Sequence, residues 1–130
     1  MTKHVLIIDG HPDVREARLN HALAQGYARG AQLAGHKVRQ VAVGKMDFPL
    51  LTCSEEFFDI SPPSVIVGVQ RDIQWADHIV IFYPLWLGSM PARLKGFFEQ
   101  VMRPGFAYAQ AWDRRHMHRS STVVELPRAC

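Results

Sequence analysis

Apolar runs of strand length alternate in this chain with stretches of helical period, which predicts an α/β domain built on a parallel sheet. Two stretches carry that expectation. Residues 4–8 and 37–43 read as strands on either side of a long helix, a βαβ unit with parallel pairing and a right-handed crossover. Residues 78–83, His-Ile-Val-Ile-Phe-Tyr, form a near-continuous apolar run rich in β-branched and aromatic side chains. Such a run suits a strand covered on both faces, so it is expected inside the sheet. With the turn and helix that follow, it makes residues 76–108 the stretch around which the chain is organised.

In chain order, the first strand ends at Asp9-Gly10, and the turn through His11-Pro12 leads into the first helix. Leu19, Leu23, Tyr27, Gly30 and Ala34 fall on one stripe of it, the face expected to pack. Gly35 closes that helix. Residues 44–64 lack periodicity and are punctuated by Phe48-Pro49, Cys53-Ser54 and Ser61-Pro62-Pro63-Ser64. They read as a surface excursion with one helical turn over residues 55–58, too short to separate two cores, so residues 1–130 are one domain. Val65, Ile66, Val69, Ile73 and Trp75-Ala76 predict a helix feeding the strand at 78–83. Pro84 ends that strand, because proline cannot donate to a ladder. Ser89, Met90 and Pro91 open the next helix, with Pro91 supplying a preset φ. Leu94, Phe97, Phe98, Val101 and Met102 share one face of it, and Arg103-Pro104-Gly105 stops it.

Bulk composition bounds the partners. The chain has 130 residues, 48% hydrophobic and 21% charged, which is the profile of one ordinary globular domain. Fifteen Lys and Arg stand against twelve acids, giving a diffuse +3 that forms no nucleic-acid stripe but suits anionic small molecules. Two cysteines, Cys53 and Cys130, make no disulfide framework. No stretch has the length of a membrane span, and the N-terminus lacks a signal-peptide pattern. A cytoplasmic location without membrane insertion is therefore expected.

Two loops are the candidate chemistry. Leu85 to Gly88 lies at the carboxyl end of a parallel strand, where α/β sheets place ligands. Trp86 beside a glycine and two prolines suits a flat aromatic ligand, and equally a tight connection in which Trp86 only packs. The turn after the first strand aims unpaired backbone N–H groups and a positive helix end at an incoming anion. His11 and Asn20 can add donors there and Arg18 a charge, or His11 can be a plain turn residue. In the tail, His116-x-His118 lacks a second ligand pair, so it reads as solvated loop and no metal site is expected. Thr122-Val123-Val124-Glu125-Leu126 reads as one more strand.

The run PLWLGSMPARLKGFFEQVMRPGFAY at residues 84–108, with Ala76-Asp77 ahead of it, closely resembles the NAD(P)H dehydrogenase (quinone) family. Gly10-His11-Pro12 with Arg18-Leu19-Asn20 resembles the family's other hallmark, although Ala17 stands where relatives often carry Ser. The resemblance covers residues 4–108 and leaves 109–130 as a divergent tail. It implies a three-layer flavodoxin-like sandwich with the C-terminal strands partly missing. It also implies a bound FAD or FMN, with NAD(P)H as hydride donor and a quinone-like acceptor. His11, Arg18, Leu19 and Asn20 would grip the flavin's phosphate. Pro84, Leu85, Trp86, Leu87 and Gly88 would contact its ring, Leu87 and Gly88 replacing larger groups of close relatives. A homodimer is implied too, with the cofactor at a two-fold interface and Phe106, Tyr108 and Trp112 as an aromatic cluster near it.

The resemblance has a gap. Relatives continue into a Thr-Thr-Gly-Gly-like loop, followed by a Tyr and a His that act on the flavin. Residues 109–130 contain no glycine and match none of this, so no catalytic side chain carries over and the catalytic residues stay unknown. A truncated paralogue or an early stop is the expectation. A shortened sheet has an apolar edge to hide, which favours an oligomer. Two function classes result: a flavin-dependent oxidoreductase, or a catalytically impaired interaction module like the ancillary subunits of potassium-efflux systems.

Overall fold

The computed structural model describes residues 1–15 and 17–107. β1 (His4–Asp9) leads into α1 (Leu19–Leu33), and β2 (Lys37–Ala42) follows, ending in a 3-10 turn over Val43–Lys45. The excursion holds one short helix, α2 (Ser54–Phe58), and then come α3 (Ser64–Trp75), β3 (His78–Phe82) and α4 (Ala92–Val101). The three strands form one parallel sheet in the order β2-β1-β3. Val5 lies opposite Val38 and His78, and Ile8 opposite Val41 and Ile81. Antiparallel pairing of β1 with β3 would have refuted the expected fold, and the pairing is parallel. Both crossovers start from one edge, so all three strands deliver their carboxyl ends to the same place.

α1 covers one face of the sheet, where Ala24 and Ala28 pack on Val5 and Ile7. α3 and α4 cover the other, where Ile66, Val69, Leu94, Phe97 and Val101 meet Leu6 and Ile8. This is the three-layer α/β arrangement anticipated. Among the described residues no helix is long and apolar enough to cross a membrane. Tyr108, Trp112, His116, His118, Cys130 and the strand expected at 122–126 lie outside the described residues.

Two expectations are corrected. The strand covered on both faces is β1, in which Val5, Leu6, Ile7 and Ile8 are all buried. β3 is an edge among the described residues, with Ile79 37% and Ile81 39% exposed. The described residues put β1 on one side of β3, and the strand expected at 122–126 lies outside them. The packing stripe of α1 is also different. Leu19, Leu23 and Tyr27 are exposed, and the contact is made by Ala24 and Ala28. Small residues let the helix lie close on the sheet, so the larger side chains fall beside the contact line.

The excursion is tied to α4 by three side chains. The Arg93 guanidinium donates to the Val43 and Met46 carbonyls and lies 4.8 Å over the Phe48 ring. Gln100 donates to the Pro49 carbonyl at 2.7 Å. Arg103, only 5% exposed, donates to the carbonyls of Glu56 and Ile60 and to the Gln100 side chain. A residue read as a helix-stop signal is thus the pin of a loop. Replacing a buried charged donor strands its acceptors, so Arg103→Met is expected to cost about 1–3 kcal/mol in denaturant unfolding. Limited proteolysis should then cut first between residues 49 and 62; unchanged stability and an uncut excursion would refute the pinning role.

Candidate functional site

The carboxyl edge of the sheet is organised by Asp9, the last residue of β1. Its Oδ1 accepts the His11 backbone N–H at 3.2 Å and the Asn20 amide at 2.6 Å, while its Oδ2 accepts from His21 Nδ1. Asn20 also donates to the Phe82 carbonyl at 3.2 Å, and Gly10 N–H donates to the same oxygen at 2.7 Å. Those two bonds fasten the end of β3 to the loop after β1. Glycine is required for this approach, since a Cβ at Gly10 would stand 2.7 Å from Leu94 Cδ2 and 3.2 Å from the Phe82 carbonyl.

Asp13 is the loop's second anchor. It accepts from Arg15 Nη2 at 2.5 Å and from Arg18 Nη2 at 2.6 Å. Those bonds, the Arg15 guanidinium first, hold its carboxyl far below the usual carboxylate range. Arg18, expected to add a charge at this turn, is engaged with Asp13 inside its own loop. It is also the N-cap of α1 and makes no side-chain cap bond, so the first amides of α1 are left for an anion. Leu19 is 75% exposed at that helix start.

The two histidines of the loop are driven apart. His11 Nδ1 accepts the Asp13 N–H at 3.0 Å, which puts the ring proton of the neutral form on Nε2. Burial, and then the neighbouring His21, press its pKa below the ordinary value. Burial acts the same way on His21, but its bonds to the Asp9 carboxylate and the Asp13 carbonyl outweigh burial and raise it. The two shifts have opposite signs, so His21 takes a proton more readily than His11 does.

The second loop meets the first at His11. The Trp86 ring stands edge-on to the His11 ring with centroids 5.9 Å apart, and His11 is 5.4 Å from His21. Trp86 and Ser89 exchange backbone bonds of 2.9 and 3.1 Å around Leu87 and Gly88, a two-residue hairpin. Both central residues have positive φ, 51° for Leu87 and 76° for Gly88, the pattern that favours Asn-Gly. Pro84 is half-buried, whereas Leu85, Trp86, Leu87 and Gly88 are exposed. A cleft of about 250 Å³ beside this edge is lined by Asp9, His11, His21, Gln25, Gln40 and Lys45; Trp86 does not line it.

Every predicted site residue therefore stands at the carboxyl edge, with His11 and Trp86 in direct contact. Asp9, Asp13 and His21 were missed. One signal was available: a carboxylate that closes an apolar strand at a βα turn must find partners there. A leucine at left-handed φ is strained, so Leu87→Asn is expected to stabilise the fold by about 0.5–1 kcal/mol, read as a raised Tm. No gain in Tm would place the hairpin in another geometry.

Comparison with known proteins follows this geometry. A family model described as Flavodoxin-like fold matches residues 3–124. The chain is 32% identical over 123 residues to the ribosyldihydronicotinamide dehydrogenase-like protein traD of Penicillium crustosum, covering 80% of this chain and 45% of that protein. It is 31% identical over 106 residues to an uncharacterized NAD(P)H oxidoreductase of Haemophilus influenzae, covering 79% of this chain and 52% of that protein. The solved NAD(P)H:quinone oxidoreductase of Methanothermobacter marburgensis superposes with a TM-score of 0.72 at 26% identity, over 85% of this chain and 58% of that one. The chain spans about half the length of the curated relatives it matches. It belongs to the family of the flavodoxin-like fold, among relatives named as quinone reductases and NAD(P)H oxidoreductases.

Proposed function

We propose that the carboxyl edge of this sheet holds a flavin, FMN or FAD, and that the chain serves NAD(P)H-dependent reduction of quinone-like acceptors. The observation that carries the reading is the His11–Trp86 contact, which joins an anion-ready helix start to an exposed aromatic wall. His11 offers Nε2–H, Asn20 holds the loop's shape, and the uncapped amides of α1 suit a phosphate. Trp86 and the Leu87-Gly88 hairpin suit the face of a flat ring. Bound there, a flavin supplies two-electron redox chemistry between NAD(P)H and the acceptor. The names of the relatives support that choice of donor and acceptor. No side chain of this chain is assigned a catalytic role. A cytoplasmic location belongs to the reading, in keeping with the free, exposed Cys53 thiol.

A second reading has its own observation. Ile79 and Ile81 are exposed along β3, and Leu85 just beyond it, an apolar edge of the kind that proteins cover. It supports a homodimer, or an interaction module that binds a relative without turning substrate over. Flavin titration separates the two. FMN or FAD is expected to quench Trp86 fluorescence saturably and to raise Tm, with Trp86→Ala abolishing the quench. Arg18→Ala, which unties one side of Asp13, should weaken binding by about threefold to tenfold. Saturating flavin that leaves both fluorescence and Tm unchanged refutes the cofactor reading in favour of the interaction module.

A further inference from the structure

The Asp9–His21–Asp13 bridge is a feature that the proposed function does not use. His21 Nδ1 faces the Asp9 carboxylate, and Nε2 stands 2.8 Å from the Asp13 carbonyl oxygen. Both partners only accept, so both ring nitrogens must donate, and only the imidazolium can do that. The His21 and Asp9 side chains are each 14% exposed, which leaves water little room to substitute for either bond. We propose that His21 is a positioning residue: as an imidazolium it clips the loop at Asp13 to the Asp9 end of β1 and to the start of α1, and losing its proton opens the clip.

The groups around the ring act in a definite balance. Asp9 faces it from β1 and Asp13 and His11 from the loop, Arg18 acts on the neighbouring His11, and Lys45 lines the same cleft from the turn after β2. Asp13 is already answered by Arg15 and Arg18, so the imidazolium answers Asp9. A neutral imidazole has one N–H, so on deprotonation either Asp9 or the Asp13 carbonyl faces a lone pair and that contact breaks. The same event removes one positive charge from the loop. Both consequences weaken the hold on an anion. The sign for stability is equally set. A histidine whose folded pKa is raised stabilises the fold fully below about 6.5, and that stabilisation is lost as pH rises through the folded pKa.

What the loop binds rests on the flavin reading; the clip itself does not. The test is long-range proton–nitrogen NMR of the His21 ring in the full chain from pH 5 to 9, with the Asp13 and Arg15 backbone amides followed together. Expected are an imidazolium that persists above pH 6.5 and loop amides that shift with the same midpoint. Asp9→Asn should lower that midpoint. FMN is then titrated at each pH against His21→Gln, which shares the ionisation of FMN's own phosphate. Relative to that variant, the wild-type dissociation constant should rise about tenfold across the His21 titration, one pKa-unit equivalent. A His21 midpoint at or below 6.5, or loop amides indifferent to it, overturns the clip, and the ring and amide signals decide this even if His21→Gln does not fold. FMN that binds at no pH overturns the cofactor reading instead, and the NMR midpoints judge the clip alone.

Discussion

The candidate site depends on one carboxylate. Asp9 closes a strand whose preceding four residues are buried, so its charge sits where water is scarce. A carboxylate there needs hydrogen-bond partners from the protein. The chain answers it with a backbone N–H, the Asn20 amide and the His21 imidazolium. Each partner belongs to the loop after β1 or to the first turn of α1. Satisfying one charge therefore fixes where the helix begins and which way its first amides point. Asn20 extends the network to the Phe82 carbonyl and so sets the end of β3 as well. Two loops distant in sequence are placed by the hydrogen-bonding demand of one side chain.

The same demand separates the loop's two histidines. They stand 5.4 Å apart, close enough that a charge on one disfavours a charge on the other. His21 faces two acceptors, which favours its protonated form; His11 receives an N–H on Nδ1, which favours its neutral form. A neutral His11 can stand beside the Trp86 ring and still present one donor. Asp13 serves differently, since its pairs with Arg15 and Arg18 lie nearer to solvent and are screened. Its value is geometric: it curls the loop so that its own carbonyl reaches His21.

Much of this could be read from the residues. Strand and helix positions follow from apolar periodicity, and His11, Asn20 and Trp86 stood out at βα turns. The rest depended on relations that periodicity does not encode. Tyr27 and Leu23 fit a helical stripe, yet Ala24 and Ala28 make the contact, because close approach to a sheet selects small side chains rather than large ones. The run at 78–83 is apolar enough for a covered strand, yet among the described residues Ile79 and Ile81 are partly exposed and only β1 pairs with it. Arg103 looked like a helix stop and proved to be a buried pin, which only the position of residues 56–60 reveals. His21 carries no motif. It matters because Asp9, twelve positions earlier, ends beside it.

β3 answers two opposed requirements. Along its length Ile79 and Ile81 are exposed, an edge that would take a further strand or a partner. At its carboxyl end it is held by Gly10 N–H and Asn20, both from the β1 side. Order at the site is therefore tied to β1, which is paired on both sides, and to the first turn of α1. Covering that edge would add stability to the sheet and apolar contact to Leu85, without moving His11 or the start of α1. The shape of the turn between β1 and α1 and the pairing of the far side of β3 are thus set by different parts of the fold.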